Sequence, residues 1–143
     1  MVLGRTMGRI AYIFLQCTYG FLQTLLGLVV FVMNRKNEHR FFGNCIDTRW
    51  DSLSGLSLGL FIFTPEGDGD YAARVRVHEY GHTFQSLLLG PFYLFVGIIS
   101  VLWGILPVFQ KMRETKNVPY TSCFTEKWAS SLGEKHTGAK AIW

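Results

Sequence analysis

Residues 10–33 carry no charged side chain, and this apolar run exceeds the roughly 20 residues a helix needs to cross the hydrocarbon layer. The pattern predicts a transmembrane helix over 10–33. Arg5 and Arg9 before it also fit a secretory signal, but the run is too long for the apolar core of a signal and ends Phe31-Val32-Met33-Asn34 without a small-residue cleavage site. Gln16, Thr18, Gln23 and Thr24 within it need a neighbouring helix to satisfy their polar groups, most simply the second apolar segment. Residues 34–51 are polar and mixed in charge, and the stretch 34–70 is expected outside the bilayer as a strand and loop region. There Leu56, Leu58, Leu60 and Ile62 alternate with Ser57, Gly59, Phe61 and Phe63, the period of a single strand running to Thr64. Residues 65–70 read as a solvated turn. A calcium loop starting at Asp68 fails, because its fifth and sixth positions are Ala72 and Ala73.

Asp70 is a good helix cap, and residues 71–89 hold no proline and only Gly81, which predicts a helix of about five turns. The alternation of Arg74 and Arg76 with Val75 and Val77 also suits a short strand, which would move the helix start to about His78. Residues 83–110 are again uncharged but interrupted by Gly90-Pro91, Gly97, Gly104 and Pro107, so this stretch is expected to be broken. Ser122 is placed to cap a helix over 122–133 that ends before Gly133, with a loose tail from Glu134. There is no internal repeat. The expected fold class is a mainly α membrane protein with a small β element (α+β), in one domain over 1–143.

Composition sharpens this. The chain has 143 residues, 49% of them apolar and only 17% charged. That excludes disorder and is unusual for a soluble domain, which averages roughly 25% charged. The net charge of +4 is scattered, without the basic stripe of a nucleic-acid reader, so no nucleic-acid partner is expected. Cys17, Cys45 and Cys123 are too few and too spread for a disulfide framework, and no CxxC pair is present.

The chemistry concentrates in His78-Glu79-Tyr80-Gly81-His82, an HExxH motif. Helical residues four apart share a face, so both imidazoles can bind one zinc ion while Glu79, about 100° away, reaches a water on it. Zinc lowers the pKa of that water toward ~7 and polarises a carbonyl, and the glutamate takes the proton, which is peptide-bond hydrolysis. With 4 histidines in the chain, chance placement yields roughly 0.005 such motifs. The bland alternative is two surface histidines on an amphipathic helix, with Glu79 paired to Arg76.

A catalytic zinc usually takes three protein ligands. The HExxHxxGxxH extension is excluded by Gln85 and Leu88, and all four aspartates precede the motif, so no distal aspartate exists as in site-2-type intramembrane proteases. The downstream candidates are Glu114, Cys123, Glu126, Glu134 and His136. Glu126 is the best of them, because a capped helix can present it rigidly; Cys123 competes by proximity, although thiolates favour closed structural sites. Tyr120 and His136 are candidates to stabilise an oxyanion, and the strand at 56–64 is a candidate edge for an extended peptide.

The blocks His78-Glu79-Tyr80-Gly81-His82-Thr83-Phe84-Gln85-Ser86, Leu89-Gly90-Pro91-Phe92-Tyr93-Leu94, and Tyr120 with Thr125-Glu126-Lys127-Trp128-Ala129 resemble a group of small, largely uncharacterised bacterial membrane proteins. More broadly they resemble gluzincin-type zinc metallopeptidases, in which a glutamate on a second helix completes the site. The resemblance implies a zincin-like HExxH helix plus a second ligand helix, with His78, His82 and Glu126 as Zn2+ ligands and Glu79 as general base. It also implies an integral protein of the bacterial cytoplasmic membrane, acting on a peptide or protein substrate. Such families often carry an aspartate four residues after the ligand glutamate; here that position is Ser130, whose hydroxyl can orient an imidazole without raising its basicity as a carboxylate does.

Geometry then constrains topology. Were residues 83–110 one straight helix, Glu126 would emerge about 30 Å from His82. The expectation is therefore a broken, re-entrant segment over 90–110, its freed backbone covered by protein. Basic residues do not orient it: six lie between the apolar segments and eight in the flanks. The leading expectation is a zinc metallopeptidase of the membrane. The alternative is a membrane-anchored zinc-binding or interaction protein without turnover.

Overall fold

The computed structural model describes residues 2–143, with side chains from Gly8 onward. The fold is α+β and mostly helical: α1 (Val2–Thr18), α2 (Phe21–Met33), α3 (Asp70–Leu89), α4 (Tyr93–Ile105), α5 (Pro107–Lys116) and α6 (Phe124–Thr137) surround a small sheet.

The apolar run over 10–33, expected as one helix, is instead two helices meeting at a bend of 93°. The physical reason lies in its polar residues. Gln16 Nε2 donates to Thr83 O (2.9 Å), Gln23 Nε2 donates to Ser86 Oγ and Gly90 O (both 2.8 Å), and Ser86 Oγ donates to Gln16 Oε1 (2.8 Å), so Ser86 ties the two helices together at the corner. Gly20 makes the corner, where a Cβ would lie 2.8 Å from Gln16 Oε1. Gln16 and Gln23 thus face a neighbouring helix as expected. Thr24 instead donates to Gln16 O (2.6 Å), and Thr18 donates to Phe14 O of its own helix (2.7 Å).

The sheet comprises β1 (His39–Phe42), β2 (Cys45–Trp50), β3 (Leu56–Leu58) and β4 (Phe61–Pro65), in the order β1-β2-β4-β3. β2 and β4 run parallel, and the outer pairs are antiparallel. The alternating segment at 56–64 is therefore a hairpin rather than one strand. Gly59 turns it at φ 63°, and the same glycine leaves room for the backbone of Thr24 on α2. Every residue of β4 is buried, as suits a central strand covered on both faces. Asp47 on β2 accepts from Thr64 Oγ1 (2.7 Å) and Arg76 Nε (3.1 Å), while Arg49 reaches Asp68 (2.8 Å), so the turn at 65–70 is tied to sheet and helix.

α3 begins at Asp70, which excludes a strand at 74–77. At Gly90 the backbone takes φ 56°, ψ −132°, outside helical space, and a 3-10 turn (Gly90–Phe92) leads into α4. A second break at Leu106 precedes Pro107. Among the described residues one helical stretch, Asp70–Ile105, is long and apolar enough to cross a membrane, with a mean hydropathy of 2.0 over its best window. Its apolar part is the second half; the HExxH residues precede it. α6 starts after Cys123 rather than Ser122, and it runs through Gly133 to a left-handed Gly138 (φ 73°). The tail is not loose: Ala141 is fully buried and its N–H donates to Glu134 Oε1 (3.0 Å), as does Trp143 Nε1 (2.8 Å).

Candidate metal centre

α3 and α6 cross at very short range because each supplies a glycine where the other presents backbone. A Cβ at Gly81 would run into Ala129 O, and one at Gly133 into Val77 O. Gly81 lies inside the HExxH motif, so the approach is closest beside the histidines. Glu126 sits in the first turn of α6, where the helix dipole favours a carboxylate. Its Oε2 lies 2.8 Å from His78 Nε2 and 3.2 Å from His82 Nε2. His78, Glu79, His82 and Glu126 are all buried.

Hydrogen bonds on the far side of each ring fix which nitrogen faces inward. His78 Nδ1–H donates to Ser130 Oγ (2.8 Å), which in turn donates to Ile142 O (2.7 Å). His82 Nδ1–H donates to Gln85 Oε1 (2.6 Å), and the amide orientation of Gln85 is set by its Nε2 donating to Thr125 O (2.8 Å). Both Nε2 lone pairs and a carboxylate oxygen thus point at one place with only acceptors between them, an arrangement that needs a cation or a proton. A tetrahedral zinc with bonds of about 2.1 Å wants its ligand atoms roughly 3.4 Å apart. The Glu126 oxygen lies somewhat closer than that to both nitrogens, at 2.8 and 3.2 Å, so His78, His82 and Glu126 could hold such an ion after a small spreading.

The electrostatics agree. Burial disfavours the charge on Glu126, but hydrogen bonds from His78 and His82 outweigh it and hold the carboxyl well below the usual range. Burial likewise pulls His82 down, yet the Glu126 hydrogen bond and the charges of Glu126 and Glu79 raise it to about 9. Glu79 offers an oxygen within 4.8 Å of the histidine nitrogens. Its carboxylate lies against Gly55, where a side chain would displace it. Burial pushes its carboxyl above the usual range, against the pull of the two histidines.

Tyr120 Oη lies 3.4 Å from Glu126 Oε1 and 3.0 Å from Ser100 O. That chain of contacts links His82 to Ser100, which a straight helix would hold about 27 Å apart. The chain therefore bends at Gly90, and α4 brings Ser100 to the Tyr120 side of the cluster. Of the other ligand candidates, Glu114 is exposed on α5, Cys123 contacts Thr125 Oγ1 (3.3 Å), and Glu134 holds the tail. His136 stacks on Phe84 (3.7 Å between centroids), away from the cluster, which removes it as an oxyanion donor.

Three contributors escaped the sequence reading. For Gln85 the available signal is its i+3 spacing from His82. The paired glycines of α3 and α6, and the tail carbonyl of Ile142, left no local signal. The site opens into a cleft of about 1130 Å³, walled by β3 on one side and α4 on the other. Comparison with protein-family models, curated proteins and solved structures returned no match.

Proposed function

We propose that the protein is a zinc-dependent metallopeptidase of the membrane, with a zincin-like pairing of an HExxH helix and a ligand helix. The observation that carries this reading is the placement of Glu126 Oε2 against both inward-facing imidazole nitrogens, with Glu79 beside them at the floor of a substrate-sized cleft. His78, His82 and Glu126 would hold the ion, which supplies Lewis acidity toward a carbonyl and acidifies a water. Glu79 takes the proton of the attacking water and passes it to the leaving amine. Ser130 and Gln85 hold the two rings in the tautomer that leaves Nε2 free. Tyr120 is placed to donate to developing negative charge near Glu126.

The test begins with metal analysis of purified protein. Zinc near one equivalent is expected in the wild type and in Glu79→Gln, and loss of zinc is expected in His78→Ala and Glu126→Ala. Peptide hydrolysis abolished in Glu79→Gln, by a factor of about 10² or more, identifies the enzyme. Hydrolysis that survives that change would remove Glu79 as the general base, and its absence from zinc-loaded wild type would leave a zinc-binding protein without turnover. Wild type without zinc removes both readings.

A further inference from the structure

Resting on the peptidase reading, we infer that the cleft selects peptides carrying a large apolar side chain next to the scissile bond, and that Gly97 forms the notch receiving it. Leu94, Gly97, Ile98 and Val101 line the cleft from α4 at three- and four-residue spacing, one face of one helix. Leu56 and Leu58 on β3 face them from the opposite wall. Apart from the metal-centre carboxylates, Arg74 is the one charged side chain of the lining among the described residues, and Asp70 already pairs with it at 2.9 Å. A charged substrate residue beside α4 meets no counter-charge.

Gly97 has a different standing from the other glycines of the core. Gly81 and Gly133 are required by a facing backbone, whereas a Cβ at Gly97 meets no atom within 4 Å. It takes none of the φ values that favour glycine, and glycine weakens a helix interior relative to alanine. Neither packing nor backbone conformation demands it. What it provides is an unfilled step in an apolar wall of the cavity that holds His78, Glu79 and Glu126.

Two peptides that differ only in having Phe or Ala beside the scissile bond test this, with wild type and Gly97→Phe compared for kcat/KM. Wild type is expected to prefer the Phe peptide by about tenfold or more. Gly97→Phe should retain zinc and lose at least tenfold more rate on the Phe peptide than on the Ala peptide. Calorimetric binding of both peptides to Glu79→Gln and to Glu79→Gln/Gly97→Phe should show the same change of preference without turnover. Absence of the wild-type preference, or an equal loss on both peptides, overturns the inference. If wild type hydrolyses neither peptide, the peptidase reading falls, and the binding comparison alone decides for or against the notch. Gly97→Leu takes the place of phenylalanine if circular dichroism shows that Gly97→Phe has not folded.

Discussion

His82 and Glu126 share one proton's worth of attraction in the metal-free site. Because the folded-state pKa of His82 is raised to about 9, protonated His82 stabilises the metal-free fold fully below the ordinary histidine value near 6.5, and this is lost as pH rises through about 9. Zinc needs the same nitrogen neutral, so metal and proton compete. The apparent zinc affinity is expected to rise by close to tenfold per pH unit between pH 7 and about 9, then to level. Chelator competition at several pH values measures the slope, and calorimetry in buffers of different ionisation enthalpy counts the released proton. A flat affinity across that range would show that His82 is not the protonated ligand. At this scale the sequence was legible where chemistry imposes fixed spacing: His78 and His82 four apart, and Glu79 next to the first. It was not legible for Gln85 and Ile142, whose roles depend on partners brought in by the fold.

The glycine crossing decides whether the two halves of the site meet. Gly133→Ala would force α6 away from Val77 O, with an overpacking cost of about 1–3 kcal/mol, and would carry Glu126 away from both histidines. Thermal unfolding should report the first effect, and zinc affinity at least tenfold weaker the second. Ser131→Ala, on the exposed face of the same helix, should change neither by much. A Gly133→Ala protein that binds zinc as tightly as wild type would show that α6 does not set the ligand position. The helix of the motif and the helix of Glu126 could be read from caps and periodicity because those signals are local. The bend at Gly20, the hairpin at Gly59 and the continuation of α6 through Gly133 could not. Each is fixed by a distant partner: Ser86, Thr24 and Val77. Strand β2 was hidden for a related reason, since its Asp47 and Arg49 are polar residues buried by ion pairs rather than by hydrophobic alternation.

On the scale of the whole molecule, α2 is built inside out. It buries Gln23, Thr24 and Gly27, while Phe21, Leu22, Leu25, Leu26, Val29 and Val32 are each about half exposed. A helix on a water-soluble domain places its apolar stripe inward. Here the buried polar groups hydrogen-bond to protein, and the outward face offers hydrocarbon alone, the arrangement that lipid favours. α4 likewise turns Phe95, Ile99 and Ile105 outward, away from the face that lines the cleft. The expected outcome is that the protein stays in the membrane pellet through high salt and alkaline carbonate and is released by detergent. Recovery in the carbonate supernatant would remove the bilayer from the proposal while leaving the metal centre untouched. A paired change, Leu26→Lys with Val29→Lys, separates lipid contact from core packing, because both side chains are about half exposed on α2, apart from the buried cluster of His78, His82 and Glu126. In a soluble protein it would raise solubility. In a bilayer it puts two ammonium groups against hydrocarbon, at about 2.5–3.5 kcal/mol each on insertion scales if they lie near the centre, and the membrane-bound fraction should fall.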